Sequence, residues 1–236
     1  MLRKPFAPPS TGFSAFRYQQ HNQRRQEHLA TLGLDLFDKT VLEVGAGIGD
    51  HTSFFLDRGC TVVCTEAREE NLRLLRSRFP GIEVFQQDLE NPSLPALERD
   101  FDVVYCYGLL YHLRTPSQTL AYLAARCSGL LLLETCVSFA TDVTINLIDE
   151  DRKKRTQSYS GTGCRPTRQW VFAELKKHFP FVYMPVTQPN HFQFPLDWTV
   201  PPPDNQLIRS VFIGSRAKLI NPVLMETIPM HQTKSS

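Results

Sequence analysis

The chain has 236 residues and a mass of 27.0 kDa, which favours one α/β domain with extensions over two separate domains. Its 26 basic and 24 acidic residues leave a net charge of +2, so the overall charge gives no general attraction to nucleic acid. No stretch approaches the ~20 apolar residues of a membrane helix, and the first residues, MLRKPFAPPS, contain no apolar signal region, so no membrane contact is predicted.

The cysteine pattern indicates reduced thiols in a cytoplasmic protein. No C-x-x-C pair occurs, and several cysteines lie in predicted strands, where cysteine packs as a small apolar residue. The six are Cys60, Cys64, Cys106, Cys127, Cys136 and Cys164. The acidic run Asp149–Asp151 is no ligand pattern, and with the basic run Arg152–Arg155 it is interpreted as solvated surface, so no metal site is predicted.

Residues 1–34 are predicted to form an arm and a lid helix. The arm is Pro-rich, and the composition becomes helical from about Phe16 to Leu32, before Gly33. A helix in this position either covers a ligand or simply packs on the following sheet, and the sequence leaves both open. The lid candidates are Phe13, Phe16, Tyr18 and His21.

The segment Thr40–Asp50, TVLEVGAGIGD, predicts a buried strand, a glycine turn and the start of a helix. Such a turn brings backbone N–H groups close to a ligand. A dinucleotide fingerprint requires G-x-G-x-x-G, but Asp50 stands where the third glycine belongs and would repel a pyrophosphate. Glu43, just before the first glycine, instead suits a positively charged part of a ligand.

Acidic residues follow the next two predicted strands. Cys60–Thr65 ends at Glu66, where an acid can accept both hydroxyls of a ribose; the alternative is a glutamate that caps the helix after it. Ile82–Phe85 forms the third strand, and Asp88 follows it. Because the carboxyl ends of parallel strands share one edge of the sheet, both acids are predicted to face the glycine turn.

The fourth strand, Phe101–Tyr107, leads into a segment with a candidate base. Tyr111 and His112 follow it and are predicted to lie at the mouth of the sheet. The ordinary pKa of histidine, about 6.5, lets His112 accept a proton near neutrality. The alternative is that His112 only shapes the pocket by hydrogen bonding.

The second half of the chain predicts a fifth strand, Gly129–Thr135, then a helix, Thr167–His178, and two closing strands, Phe181–Val186 and Leu207–Ser215. Glu134 at the mouth of the fifth strand could bind substrate or hold the next loop. Two insert loops, 136–166 with a mobile turn at 161–166 and 187–206, and a C-terminal tail, 217–236, complete the interpretation. Substrate-contact candidates in the second insert are His191, Phe192, Phe194 and Trp198.

The run E-x-G-x-G-x-G from Glu43 to Gly49, with the order of strands after it, resembles the class I S-adenosylmethionine (SAM) methyltransferases over about residues 35–216. The resemblance implies a doubly wound, mostly parallel seven-stranded sheet with an N-terminal helical extension. It implies that SAM is the cofactor, with Glu66 on the ribose and Asp88 on the adenine amino group. The implied cofactor residues are Glu43, Gly45, Ala46, Gly47, Gly49, Glu66, Asp88, Leu89 and Tyr107.

A narrower similarity covers Tyr107–Pro116 (YGLLYHLRTP) and Gly129–Thr135 (GLLLLET). These segments are similar to tRNA wobble-uridine carboxymethyltransferases and to bacterial methyltransferases associated with polysaccharide genes. The tRNA enzymes use a carboxylated SAM and carry basic residues for its carboxylate and for RNA, and the sequence alone does not identify such residues here.

The predicted function is methyl transfer from SAM to a small-molecule or sugar-like acceptor, with His112 as the base, assisted by Tyr111. One alternative is an RNA-modifying methyl- or carboxymethyltransferase. It requires Arg24, Arg25, Arg152–Arg155 and Arg168 to converge on the pocket. The other alternative is a SAM-binding module without catalysis. The oligomeric state is left open.

Overall fold

The computed structural model describes residues 13, 15–92, 97–204 and 206–235. The helices are α1 (Phe16–Thr31), α2 (Thr52–Leu56), α3 (Glu69–Arg78), α4 (Pro116–Ala124) and α5 (Arg168–Lys176), with a 3₁₀ turn at Leu110–His112. The strands are β1 (Thr40–Val44), β2 (Thr61–Glu66), β3 (Glu83–Gln86), β4 (Phe101–Tyr107), β5 (Cys127–Val137), β6 (Ile145–Asp149), β7 (Thr162–Pro166), β8 (Phe181–Pro185), β9 (Thr187–Gln188), β10 (Ile208–Ser215), β11 (Leu224–Met225) and β12 (Thr233–Lys234).

A central sheet carries the fold, with the strand order β11-β8-β10-β5-β4-β1-β2-β3. The strands from β5 to β3 in that order pair in parallel, and β10 lies antiparallel between β5 and β8. The predicted doubly wound, mostly parallel sheet is therefore confirmed. It has eight strands where seven were predicted, because β11 extends the β8 edge.

Helices cover both faces of this sheet, as the unbroken apolar runs of its strands require. Val41 of β1 packs in a cluster with Leu29 of α1 and Phe55 of α2. On the opposite face Leu42 packs in a cluster with Leu120 of α4 and Trp170 of α5. In β4 the same alternation directs Tyr105 and Tyr107 to the α1 side.

The C-terminal segment 217–236 is not the tail predicted from the sequence. Its β11 pairs with β8 and its β12 pairs in parallel with β9. The side chain of Asn221 donates to the carbonyl of Leu32 over 2.8 Å, which ties the segment to the end of α1. These pairings lie far apart in sequence, and no local pattern indicates them.

The first insert is also more regular than predicted. β6 and β7 form an antiparallel hairpin, so the prediction of a mobile turn at 161–166 is wrong. Cys164 of β7 is buried, and its Sγ lies 3.5 Å from the carbonyl oxygen of Leu110. The second insert contains β9, and the remaining domain bounds stay predictions.

None of the helices in the described part of the chain is both long and apolar enough to cross a membrane.

Candidate active site

A cavity of about 550 Å³ opens at the carboxyl ends of β1, β2 and β4. That volume is in the range of small-molecule sites. The glycine turn and the ends of β2 and β3 line one part of it, and α1 and the second insert line another. The cavity thus lies where a doubly wound sheet binds its ligand.

The glycine turn is held open by the neighbouring strand. Gly45 and Gly47 have φ of +62° and +59°, which side chains with a Cβ rarely adopt. The N–H of Ala46 donates to the carbonyl of Thr65 over 2.9 Å. A Cβ built on Gly45 would lie 2.8 Å from the Leu109 side chain, so the turn has no room for one.

Glu66, the last residue of β2, hydrogen-bonds the glycine turn and lines the cavity. Its Oε2 accepts the N–H of Gly47 and its Oε1 accepts the N–H of Arg68, each over 2.9 Å. Burial raises the pKa of Glu66, while these two amide donors act in the opposite direction. Because each carboxylate oxygen has a further lone pair, Glu66 can still accept two hydroxyl groups from the cavity.

Glu43 also lines the cavity, from beneath the turn. Its carboxylate accepts the hydroxyl of Thr52 over 2.7 Å and lies 3.5 Å from Sγ of Cys64. Burial raises the pKa of Glu43 to about 7. Glu43 thus combines a supporting role for α2 with a place at the cavity wall.

The other predicted cofactor residues divide into two groups. Asp88, Leu89, Ala46 and Tyr107 line the cavity. Gly49 does not: a Cβ there would lie 2.5 Å from Leu75, so this glycine serves the packing of α3 under the turn.

Asp88 and Tyr107 differ in how their polar atoms are satisfied. Oδ1 of Asp88 accepts the N–H of Glu90 over 3.0 Å, which fixes the carboxylate in a turn. The ring of Tyr107 stacks on Tyr105 with centroids 4.4 Å apart. Its buried hydroxyl has no hydrogen-bond partner among the described residues.

His112 forms a pair with Glu150 that the sequence did not reveal. Its Nδ1 lies 2.5 Å from Oε2 of Glu150, and its ring lies against Tyr111 with centroids 3.9 Å apart. Burial lowers the pKa of His112, and the hydrogen bond and charge of Glu150 oppose that effect. The imidazole is therefore neutral near pH 7. Glu150 belongs to the acidic run interpreted as solvated surface, yet its side chain is only 4% exposed.

A buried ion cluster lies beside Tyr111. The carboxylate of Glu134 accepts hydrogen bonds from the guanidinium groups of Arg25 in α1, over 2.5 Å, and Arg209 in β10, over 3.0 Å. Arg209 also donates to the Tyr111 hydroxyl over 3.1 Å. Two guanidinium groups share one carboxylate, so the cluster carries a net positive charge at the cavity wall. Glu134 was predicted at this mouth, but Arg209 was not.

Burial also raises the pKa of Tyr111, and the charge of Arg209 opposes the rise. The phenol therefore remains protonated near pH 7. Tyr111 can donate a hydrogen bond into the cavity but does not serve as a base.

The lid candidates also divide by whether they line the cavity. Phe13, Tyr18 and His21 line the cavity, whereas Phe16 is 77% exposed and does not. The ring of His21 stacks on His191 with centroids 4.6 Å apart, which joins α1 to the second insert.

Two of the four contact candidates in that insert, His191 and Phe192, line the cavity. Phe194 and Trp198 are buried in the two core clusters instead. His51 also lines the cavity, although no sequence motif pointed to it. Its Nδ1 hydrogen-bonds the buried Tyr105 hydroxyl, and burial lowers the pKa of His51 to about 3.

The basic residues named for an RNA-modifying enzyme converge only in part. Arg25 and Arg155 line the cavity. Arg24 pairs with Glu27 on the helix surface, and Arg168 donates to the carbonyl of Pro229 on a buried face. Arginines that the sequence had not assigned also line the cavity: Arg17, Arg68, Arg165 and Arg209. In the described part of the chain, no three His, Cys, Asp or Glu residues group as a metal site.

Comparison with protein families finds that residues 41–129 match the model described as "Methyltransferase domain". Among curated proteins, the tRNA U34 carboxymethyltransferase of Azotobacter vinelandii is 34% identical over 127 residues, which cover 50% of this chain and 39% of that protein. The same enzyme of Alcanivorax borkumensis is 32% identical over 138 residues, covering 55% and 41%. The chain thus spans about two fifths of the length of these relatives.

Solved structures share the fold more widely. The N-terminal domain of EvdMO1, in the presence of S-adenosylhomocysteine (SAH) and D-fucose, has a TM-score of 0.64 at 23% identity, over 85% of this chain and 84% of that one. A SAM-dependent methyltransferase from Mesorhizobium loti has a TM-score of 0.60 at 15% identity, over 84% and 100%. The resemblance to class I SAM methyltransferases predicted from the sequence is confirmed by these matches.

Proposed function

We propose that this protein is a SAM-dependent transferase of one-carbon groups. The observation that carries the proposal is the arrangement of Glu66 against Gly47, which places a buried carboxylate and a turn without Cβ atoms at the same cavity wall. A sulfonium nucleoside without phosphate suits these acids better than a dinucleotide does. The matched methyltransferase domain supports the same cofactor.

Bound SAM would supply an electrophilic methyl group, and the residues of this chain would hold and orient it. Glu66 would accept the ribose hydroxyls, and Asp88 with Leu89 would take the adenine. Tyr107, with its free hydroxyl, would lie toward the reacting end. Alignment of acceptor and donor can contribute ~7–11 kcal/mol to such a transfer, so positioning is the main task of this site.

The cofactor proposal is tested by calorimetry with SAH on Glu66→Gln. A hydrogen bond to a charged group contributes about 1.5–3 kcal/mol, so we expect SAH to bind about 10- to 100-fold more weakly. Glu70→Gln is the matched control because Glu70 is an exposed acid in the first turn of α3. Unchanged SAH binding by Glu66→Gln, or tight binding of a nicotinamide dinucleotide by the wild type, would contradict the proposal.

For the acceptor, the curated relatives favour the RNA-modifying alternative over the small-molecule acceptor predicted from the sequence. The ion cluster adds a physical reason for carboxymethyl transfer. Arg25 and Arg209 share Glu134 with one positive charge left over beside Tyr111, and a carboxylate on the transferred group would neutralise that charge. We therefore infer that an RNA base is the first candidate acceptor and a carboxylated SAM the first candidate donor.

A small-molecule acceptor remains the second candidate because aromatic side chains line the cavity. His21 on α1 stacks on His191 of the second insert, and Tyr18 and Phe192 line the cavity as well. A cavity of about 550 Å³ with aromatic lining fits a compact acceptor better than a folded RNA.

One experiment separates the two candidates. The protein is incubated with isotopically labelled SAM or labelled carboxy-SAM, each with total tRNA or with fractionated metabolites, and the labelled product is identified. Transfer to tRNA should weaken steeply with salt because phosphate contacts release counterions. Transfer to a metabolite with little dependence on salt would instead favour the small-molecule candidate.

A further inference from the structure

We propose that Glu150 is a positioning residue that fixes the proton of His112 on Nδ1 and so leaves Nε2 free to accept a proton from the acceptor. This inference rests on the proposed transferase function. It concerns a residue outside the methyltransferase sequence motifs, on a hairpin that the sequence did not predict.

The contacts of Glu150 are those of a fixed hydrogen-bond acceptor. Its Oε2 accepts from Nδ1 of His112 over 2.5 Å and from the N–H of Ser158 over 2.7 Å. Its Oε1 lies 3.4 Å from the Arg165 guanidinium. The neighbouring acids Asp149 and Asp151 are exposed, so Glu150 alone of this run turns inward.

The carboxylate determines which nitrogen of His112 carries the proton. An ionised carboxylate has only acceptor atoms, so the nitrogen that faces it must be the donor in a neutral imidazole. The lone pair is then on Nε2. No described residue hydrogen-bonds that atom, and His112 lines the cavity beside Tyr111.

Charged groups from three strands surround the ring. Glu150 comes from the end of β6, Arg165 from β7 and Arg209 from β10, and the Tyr111 phenol lies against the ring. Burial and the two arginines lower the pKa of His112, while Glu150 raises it. Glu150 therefore keeps the imidazole more basic than its surroundings alone would allow.

These groups can take up the proton that the acceptor loses in the transfer. As the acceptor O–H or N–H group attacks the transferred carbon, the carbon–sulfur bond breaks and its electron pair passes to sulfur, giving SAH. The acceptor proton passes to Nε2 of His112. The resulting imidazolium is stabilised by the Glu150 carboxylate.

The first test is ¹⁵N NMR of the histidine rings in the wild type, Glu150→Leu and the control Asp149→Asn, with and without SAH. We expect His112 protonated on Nδ1 in the wild type and the control. In Glu150→Leu no acceptor oxygen of residue 150 faces Nδ1, so that preference should be lost or reversed. A wild-type ring protonated on Nε2, or an unchanged tautomer in Glu150→Leu, would overturn the inference. Neither readout requires the acceptor to be known.

The second test measures turnover with the acceptor that the labelling experiment identifies. Glu150→Gln should lower kcat by about tenfold or more, but by less than the ~10²–10⁴-fold contribution of the general base itself, with the Kd for SAH unchanged. The acid limb of its pH profile should move to lower pH because the negative charge is gone. Unchanged kcat, or loss of SAH affinity in parallel with kcat and no pH shift, would assign Glu150 a merely structural role. Failure of the wild type to bind SAH would instead reject the proposed function.

Discussion

Glu43 links the chemistry of a single carboxyl group to the stability of the whole chain. Burial raises the pKa of Glu43 from 4.5 to about 7, so between these values the folded state binds more protons than the unfolded state. The contribution of Glu43 to folding therefore becomes less favourable as pH rises through this window.

We expect Glu43→Gln to gain stability relative to the wild type as pH rises from 4.5 to 7. The difference should reach roughly 2–3 kcal/mol because one pKa unit corresponds to about 1.4 kcal/mol. Urea denaturation at several pH values measures it. Glu226→Gln, at an exposed position, is the control and should show no such trend. A constant difference between Glu43→Gln and the wild type would contradict the buried carboxyl described above.

Two glycines differ in the space that they leave for a side chain. Gly49 has φ of +82°, and a Cβ there would lie 2.5 Å from Leu75, whereas a Cβ on Gly81 meets nothing within 4 Å. Gly49→Ala should therefore lower the free energy of unfolding by about 1–3 kcal/mol, and Gly81→Ala should change it little. Thermal or urea denaturation tests this. Equal effects would show that the turn tolerates a side chain.

Sequence reasoning can place residues that lie at or soon after the end of an apolar strand, although their roles stay predictions. Glu66 and Asp88 come directly after apolar runs and line the cavity as predicted. Sequence reasoning missed the roles of Glu150 and Arg209 because their partners, His112 and Tyr111, lie 38 and 98 residues away in the sequence. A single sequence carries no signal for a pairing over that distance.

Arg68, outside the β6–β7 hairpin, contacts the connection between its two strands. The guanidinium of Arg68 donates to the carbonyls of Arg152 over 3.0 Å, Gln157 over 3.2 Å and Ser158 over 3.0 Å. These bonds hold the connection between the two strands against the start of α3, and with it Glu150. Arg155 in the same connection donates to the side chain of Asn71 in α3 over 3.0 Å, so Arg68 is one of two arginines that anchor it.

Arg68→Lys should loosen this connection because the three carbonyls surround Nη2, and the ammonium group of lysine ends a shorter side chain that does not extend as far. We expect trypsin to cut near Lys153 about tenfold faster, in line with a loss of ~1.4 kcal/mol in local stability. Arg73→Lys, on the exposed face of α3, is the control. Equal cleavage rates in both variants would show that other contacts hold the hairpin.

Among the secondary-structure elements, strands with an apolar run were predicted from the sequence, whereas a strand without such a run was missed. β7 contains two polar residues and one glycine, and it forms a strand by antiparallel pairing with β6, with Cys164 buried against the carbonyl of Leu110. Its composition resembles a turn, so the local pattern favoured the wrong element.

In the molecule as a whole, the buried side-chain amide of Gln232 anchors the C-terminal segment to the rest of the fold. Oε1 of Gln232 accepts from Nε1 of Trp198 over 2.9 Å and from the Gln188 amide over 3.0 Å, and its Nε2 donates to the carbonyl of Pro185 over 2.7 Å. The sequence pattern of this segment is irregular, which is why a tail was predicted.

Gln232→Ala should lower the free energy of unfolding by about 1–3 kcal/mol, since it leaves buried donors without an acceptor. Lys234→Ala, two residues later and exposed, is the control and should stay within ~0.5 kcal/mol of the wild type. Chemical denaturation of the full chain measures both. A neutral Gln232→Ala would mean that the segment adds little to the folded state.

The shared carboxylate of Glu134 has a consequence for the order in which the chain matures during synthesis. Its partners arrive from opposite directions, Arg25 from 109 positions earlier and Arg209 from 75 positions later. While the ribosome has yet to deliver β10, Arg25 and Glu134 can already pair as one cation with one anion. The later arrival of Arg209 adds the second guanidinium, so the surplus positive charge of this centre exists only once β10 has been synthesised and has joined the sheet.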